Sequence, residues 1–268
     1  MKLLEHLLGK EWQVTPAGGV TGEAYYAQYG EEKLFLKRNS SPFLAVLSAE
    51  GIVPKLLWTK RLENGDVVSA QRWVSGRELK SFEMKQEIVA QLLGKIHRSK
   101  ELLEMFKRIG NLPLTPHSIV KDIAEKISDS YSDIPVIHDA LDYLDTNIKD
   151  VESNEYVVCH ADINHNNWIL GEEGDLYLID WDGAIVADPA LDLGLLLYLY
   201  IPTKDWGEWL RNYGVTLNDD LSRRMHWYVI SQMVYVILWH QQRNEVTEMK
   251  DSILYLEKLL HADVDATY

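Results

Sequence analysis

His160-Ala161-Asp162-Ile163-Asn164-His165-Asn166-Asn167 reads H-x-D-x-x-x-x-N, and Leu178-Ile179-Asp180-Trp181-Asp182 follows shortly, its first aspartate 18 residues after Asp162. Phosphoryl transfer from a magnesium nucleotide needs this set of groups: one carboxylate to take the proton of the attacking hydroxyl, and an amide oxygen with a second carboxylate to hold Mg²⁺ against the phosphates. Asp162 fits the base, and Asn167 and Asp180 fit the metal ligands. On these residues the chain reads as a kinase.

The surroundings of the motif agree. Tyr156-Val157-Val158-Cys159 is a short apolar run that predicts a buried strand delivering His160 and Asp162 to a loop. Asn167-Trp168-Ile169-Leu170 and Leu176-Tyr177-Leu178-Ile179 are two more such runs, with Gly171-Glu172-Glu173-Gly174 as the turn between them. A hairpin there returns Asp180 to Asn167, so that one Mg²⁺ can bridge their oxygens. Two other readings compete. His160, Asp162 and His165 suit a mononuclear metal centre, which leaves Asn167 and Asp180 unexplained. Simple turn chemistry accounts for the Asn and Asp content but not for the apolar runs on either side.

Composition sets the bounds. The chain has 268 residues, 46% hydrophobic and 25% charged, enough for a sizeable core in one large domain or two small ones. Its formal charge is −14 and its pI about 5.1, which argues against direct nucleic-acid binding but not against a nucleotide, since Mg²⁺ and a few local cations suffice for the latter. Cys159 is the sole cysteine, so no intramolecular disulfide forms, and its strand setting predicts a buried structural thiol. The N-terminal residues carry charges and lack a signal-peptide pattern. The apolar segment near Leu193 to Ile201 falls short of the roughly 20 residues of a membrane span. A cytoplasmic protein without a membrane span is expected, ending in a short acidic tail from His261 to Tyr268.

Along the chain, strands come first. Trp12 to Thr15, Ala24 to Tyr29 and Lys33 to Arg38 are β-rich, with glycine breaks at Gly18-Gly19 and Gly30. Leu56 to Leu62 and Val67 to Trp73 flank Glu63-Asn64-Gly65-Asp66, a strong hairpin signal, and Pro42 to Ala49 predicts a short helix. From Ser81 the period is helical: Ile88, Leu92, Leu93 and Ile96; Ile119, Ile123 and Ile127; Ile137, Leu141, Leu144 and Ile148. Met225 to Trp239 is apolar almost all round, as in a buried helix. Strands followed by helices predict an α+β protein of two lobes, residues 1–73 and 74–268, joined near Trp73 to Glu78.

On the nucleotide side, Gly18-Gly19-Val20-Thr21-Gly22 lies between two strands, where its backbone can fold over phosphates. It is no Walker loop, because no G-K-[ST] follows, and an ordinary glycine turn is the competing reading. Lys37, at the end of Leu34-Phe35-Leu36-Lys37, is the expected phosphate cation. Glu50 is the one acidic residue between Lys37 and Glu63, which makes it the candidate partner of Lys37, although it can equally cap the preceding helix.

With these pieces together, the chain resembles the aminoglycoside phosphotransferase/choline kinase family, over nearly its whole length. The resemblance rests on the glycine loop, Lys37, Leu92-Leu93-Gly94-Lys95-Ile96-His97, the H-A-D-I-N-H-N-N loop, I-D-W-D and Asp188-Pro189-Ala190-Leu191-Asp192-Leu193. It implies a protein-kinase-like fold, with a small antiparallel-sheet N-lobe and a larger, mainly helical C-lobe, and ATP and Mg²⁺ as cofactors. Pro54-Lys55-Leu56-Leu57-Trp58, Ile96-His97-Arg98-Ser99, Asn167-Trp168-Ile169 and Ile179-Asp180-Trp181-Asp182 are similar to a bacterial cell-cycle regulator group of that family. That similarity implies a ribose-like sugar or nucleoside as acceptor, with cell-division or replication proteins as further partners. Choline or an aminoglycoside is the alternative acceptor, and a nucleotide-binding scaffold the alternative role. The resemblance places Gly18, Gly19, Gly22, Lys37, Glu50, Gln71 and Trp73 at the nucleotide, with Gln71 to Trp73 offering backbone to the adenine. Asn164, His165 and Asp182 are candidate acceptor contacts.

The sequence departs from the family at Ala161, where glycine is usual and where alanine is expected to leave the loop intact. Trp181-Asp182 replaces the Phe-Gly of protein kinases. The resemblance implies that Asp188 and Asp192 brace the catalytic loop. Most aromatic rings among Trp181, Trp206, Trp209, Trp227, Trp239, Tyr198, Tyr200, Tyr228 and Tyr235 are expected to be core, the rest facing the acceptor.

Overall fold

The computed structural model describes residues 4, 7–18, 23–41, 43–127 and 134–262. Gly19, Gly22, Pro42 and the tail from 263 to 268 therefore lie outside the described residues. The chain divides into two compact units, Met1–Leu79 with His165–Asp182, and Lys80–Asn164 with Gly183–Tyr268.

The first unit begins with strands β1 (Gln13–Gly18), β2 (Ala24–Tyr29) and β3 (Glu32–Arg38), then helix α1 (Leu44–Ala49), then β4 (Leu56–Arg61) and β5 (Val67–Arg72). They form an antiparallel sheet in the order β1-β2-β3-β5-β4. Gly18, expected in the loop, instead ends β1 opposite Ala24, after a bulge at Pro16 that an edge strand tolerates. The Asn64-Gly65 hairpin forms as read: Gly65 takes φ +93° and the Leu62 N–H bonds Asp66 O at 2.7 Å.

Because side chains alternate across a strand, register assigns the two faces of this sheet. Val14, Ala27, Leu34, Leu36, Val68 and Ala70 share one face and, with Leu4, form a buried cluster. On the other face Ala24, Lys37 and Ser69 lie in one row, and Tyr26, Phe35 and Gln71 in the next. The first face is core; the second carries Lys37, Ser69 and Gln71.

The same unit holds a three-stranded sheet of β6 (Gly76–Glu78), β8 (Trp168–Gly171) and β9 (Leu176–Leu178), in the order β6-β8-β9. The β8–β9 hairpin is the one the sequence predicts; β6 is an addition. The Leu178 N–H also bonds Ile52 O at 3.0 Å, which ties the hairpin to the segment after α1.

The second unit is helical: α2 (Glu87–His97), α3 (Lys100–Arg108), α4 (Pro116–Lys126), α5 (Pro135–Thr146), α6 (Ala190–Tyr200), α7 (Trp206–Tyr213), α8 (Asp219–Gln242) and α9 (Val246–Leu260). Strand β7 (Val157–Cys159) pairs antiparallel with β10 (Ile185–Ala187). Helix α8 buries Met225, Trp227, Tyr228, Val229, Ile230, Val234 and Ile237, as its apolar run predicts. Ile148, expected to continue α5, falls instead in a following 3₁₀ turn, where Asn147 Nδ2 bonds Tyr143 O at 2.7 Å and closes the helix. Gly94 of α2 faces α7 so closely that a Cβ would overlap the Tyr213 carbonyl. The expected α+β arrangement holds, with an antiparallel sheet in the N-terminal region and helices in the C-terminal region. Among the described residues no helix is long and apolar enough to cross a membrane.

Candidate functional site

In the first unit the polar face of the large sheet and the β8–β9 hairpin enclose a cavity of about 430 Å³, lined among others by Lys37, Gln71, Asn167, Asp180 and Asp182. The hairpin sets the last three. Its register pairs Trp168 with Leu178, and one bond further the Ile179 N–H donates to Asn167 O at 2.8 Å. Asp180 is thereby returned beside Asn167, as the sequence implies. Asp180 takes φ +64°, a left-handed conformation that aspartate tolerates better than most residues. The next side chain, Trp181, is buried, and its indole N–H bonds back to Leu178 O at 2.7 Å, which pins the turn carrying Asp182.

Lys37 reaches both carboxylates: its Nζ lies 2.8 Å from Asp182 Oδ2 and 3.4 Å from Asp180 Oδ1. This arrangement is missing from the sequence reading, which sought the lysine's partner locally in Glu50. Glu50 closes α1, its N–H donating to Val46 O and Ser48 O. Two carboxylates on one ammonium, with Asn167 lining the same cavity, give a hard-oxygen donor set with surplus negative charge. Such a set suits Mg²⁺.

Around the expected adenine strip, the N–H groups of Arg72 and Trp73 are used inside the sheet, bonding Lys55 O at 2.8 Å and Lys33 O at 3.3 Å. The backbone donors of these two residues are thus already engaged. Trp73 packs edge-on against Tyr26, ring centroids 4.7 Å apart. Gln71 is buried, and its Nε2 donates to Pro54 O at 2.8 Å. His165 opens the 3₁₀ turn His165–Asn167 that carries Asn167 into the hairpin.

In the second unit β7 delivers His160, Ala161 and Asp162 to a loop braced from below. Asp192 of α6, fully buried, accepts the His160 N–H at 2.7 Å on Oδ2 and the Ala161 N–H at 2.9 Å on Oδ1. His97, the last residue of α2, adds its Nε2 to Asp192 Oδ2 at 3.1 Å and meets the Tyr213 hydroxyl through Nδ1 at 2.8 Å. Ala161 takes φ +64°, so the small side chain that stands in place of the family's glycine sits where glycine is preferred. Asp162 is exposed, and Asn164 Nδ2 donates to its Oδ1 at 2.9 Å. Asn164, expected from sequence as an acceptor contact, thus also bonds the carboxylate of Asp162.

Asp188 is the other brace. It takes both oxygens to Arg224 Nη1, at 2.6 and 2.7 Å, and accepts the Ala190 N–H at 2.7 Å. Burial pushes its carboxyl above the usual range, against the pull of Arg224. Cys159 is a buried thiol whose Sγ points at Asp188 O, 3.4 Å away, and burial raises its pKa well above the ordinary value. Among the described residues, the metal-type donor atoms close enough to share an ion belong to His97, Cys159 and Asp192. The Asp192 oxygens already serve two backbone N–H groups and His97, so the cluster is a hydrogen-bonded brace. Motif reading found Asp192 and missed the roles of His97, Tyr213 and Arg224; the closing histidine of Leu92-Leu93-Gly94-Lys95-Ile96-His97 was the available signal.

Of the aromatic residues, Trp181, Trp206, Trp209, Trp227 and Tyr228 are buried, as expected of core. Trp239 is half exposed and stacks under Arg243, 4.6 Å from guanidinium carbon to ring centroid.

Residues 13–228 match the sequence model of the phosphotransferase enzyme family, APH. Among solved structures, the chain is similar to the choline kinase LicA from Streptococcus pneumoniae, with 21% identity over 97% of this chain and 96% of that one and a TM-score of 0.71. A choline/ethanolamine kinase family protein from Mesorhizobium loti matches at 15% identity, covering 98% and 92% of the two chains, with a TM-score of 0.69. The GDP complex of aminoglycoside 2'-phosphotransferase-IIIa matches at 14% identity, covering 97% and 96%, with a TM-score of 0.69. These likenesses show the protein-kinase-like fold that the sequence implies.

Proposed function

Because this chain belongs to the phosphotransferase enzyme family, we propose that it moves the γ-phosphoryl group of ATP to a hydroxyl of a small molecule, with Asp162 as the general base. Family membership meets the expectation of a small-molecule kinase. The observation that carries the finer reading is the grouping of Lys37, Asn167, Asp180 and Asp182 on one cavity.

Asn167 and Asp180 would hold Mg²⁺, which neutralises phosphate charge when bound. Lys37 then exchanges its carboxylates for phosphate oxygens, with Glu50 as the expected partner that steadies it. Gly18, Gly19 and Gly22 cover the phosphates, and the carbonyls near Trp73 meet the base. Asp162, bonded by Asn164, accepts the acceptor's proton, and Asn164, His165 and Asp182 contact the acceptor. In this reading residues 1–73 form the nucleotide lobe and 74–268 the acceptor lobe.

For the acceptor we favour a ribose-like sugar or nucleoside, on the similarity of four short motifs to the bacterial CcrZ (YtmP) cell-cycle regulator group. The same similarity supports a role in division and replication initiation, in the cytoplasm that the sequence itself leads one to expect. The structural likeness to LicA and to aminoglycoside phosphotransferases supports choline or an aminoglycoside as the second choice. A scaffold role for a bound nucleotide is the third.

The test is Mg²⁺-dependent ADP release from ATP across ribose, deoxyribose, nucleosides, choline and an aminoglycoside, with Asp162→Ala as control. The variant should still bind nucleotide yet lose at least about 10² in turnover, the size of a general-base contribution. Unchanged turnover in Asp162→Ala would remove Asp162 from the mechanism. Stimulation by choline or the aminoglycoside alone would overturn the sugar and keep the chemistry. Silence across the panel with nucleotide bound would favour the scaffold.

A further inference from the structure

Similar solved structures hold different nucleotides, AMP in LicA and GDP in an aminoglycoside phosphotransferase, so the likeness leaves the purine open. We infer that Gln71 reads the purine base in this chain, and that its side-chain oxygen selects adenine over guanine. The inference rests on the nucleotide reading of the cavity given above.

Placement comes first. Gln71 stands opposite Phe35 on the polar face of the sheet, and Lys37 stands opposite Ser69 in the next row. Residues two apart on a strand are separated by about 7 Å. A nucleotide whose phosphates meet the Lys37 ammonium can therefore lay its base along the Phe35–Gln71 row. Phe35, Val53 and Ile179 line the same cavity and offer apolar surface to the faces of a flat ring.

Orientation comes second. The Gln71 side chain carries one acceptor end and one donor end. Its Nε2 donates to Pro54 O at 2.8 Å, which settles which end is which: a flipped amide would set oxygen against oxygen there. Among the described residues no donor bonds Gln71 Oε1. Nor is that oxygen among the sealed, unpartnered polar atoms of the structure, although the residue as a whole is only 7% exposed. An unbonded acceptor on a nearly buried side chain, in a residue that lines the cavity, suits a ligand donor.

Chemistry decides the partner. Adenine presents an amino group at its six-position, a donor, whereas guanine presents an oxygen there, an acceptor. Adenine completes Gln71 Oε1. Guanine faces it with a second acceptor, and relief by flipping the amide would sacrifice the bond to Pro54. Selection by an unpaired or repelled polar group is stronger than selection by added attraction alone.

The experiment is calorimetric titration of the full chain with ADP, GDP and IDP in the presence of Mg²⁺, repeated for Gln71→Met. IDP shares the six-oxo group of GDP and lacks its two-amino group. The wild-type protein should bind ADP roughly tenfold more tightly than either oxo nucleotide, the effect of one hydrogen bond with a mismatch penalty. Gln71→Met, similar in length and without a fixed acceptor, should bring the three affinities within about twofold to threefold of one another. Equal wild-type affinities for ADP and IDP overturn the inference without needing any variant, as does an ADP preference that survives in Gln71→Met. Binding of none of the three overturns the nucleotide reading of the cavity itself, and the inference falls with it.

Discussion

Two pairs of aspartates are held in opposite ways. Asp180 and Asp182, in the first unit, each keep 55% of their side chains exposed and share one lysine. Asp188 and Asp192, in the second unit, are 1% and 0% exposed and accept backbone N–H groups besides their side-chain partners. A buried carboxylate is tolerable only when its oxygens are bonded, and such bonds cannot be traded away cheaply. An exposed carboxylate beside one ammonium gains little from it and can exchange it for a cation. Environment thus sorts one residue type into a brace and a pair whose proposed role is to hold a cation.

The comparison breaks most visibly at Asp192. Asp192→Ala would leave the buried His160 N–H, the half-buried Ala161 N–H and His97 without their acceptor. The loss should be on the order of 3–5 kcal/mol of unfolding free energy, read by urea denaturation. Retention of wild-type stability would mean that the catalytic loop holds itself, and the brace would lose its meaning.

Asp180→Asn probes the other pair. Asparagine keeps the shape and tolerates φ +64°, so only the charge is removed. Stability should move by less than about 1 kcal/mol, as for an exposed ion pair. Mg²⁺-dependent ADP affinity should fall about tenfold or more, the effect of a lost charged ligand. A variant with normal Mg²⁺ dependence and a large stability loss would exchange the roles of the two pairs.

How much of this was legible in the sequence follows the range of each signal. The β8–β9 hairpin was readable because alternation and a glycine turn are local, and it delivers Asp180 to Asn167 as inferred. Strands β6 and β10 were not, since each is three residues long and shows no period of its own. Lys37 was found as a residue, but its carboxylates lie 143 and 145 positions along the chain, and a search for nearby acids stops at Glu50. The Asp192 brace was legible only through family resemblance, because hydrogen bonds from α6 to the loop after β7 leave no periodic trace. Gln71 was placed at the nucleotide for its backbone, whereas the structure draws attention to its side chain; nothing in a sequence shows which end of an amide is already bonded.

The smallest expected effect refines the comparison within the brace. Asp180 and Ala161 share φ +64°, one in each region. Aspartate gains from its role there, while alanine contributes only a methyl group that is unfavourable in left-handed backbone, by about 1 kcal/mol. Ala161→Gly should therefore raise stability by about that amount, a melting-temperature increase of a few degrees at most. Turnover should stay level, because the loop's hydrogen bonds to Asp192 run through backbone N–H groups that glycine keeps. If instead turnover falls while stability rises, the methyl group is limiting the freedom of the loop that carries Asp162. The brace would then act on rate through rigidity as well as on stability through satisfied hydrogen bonds.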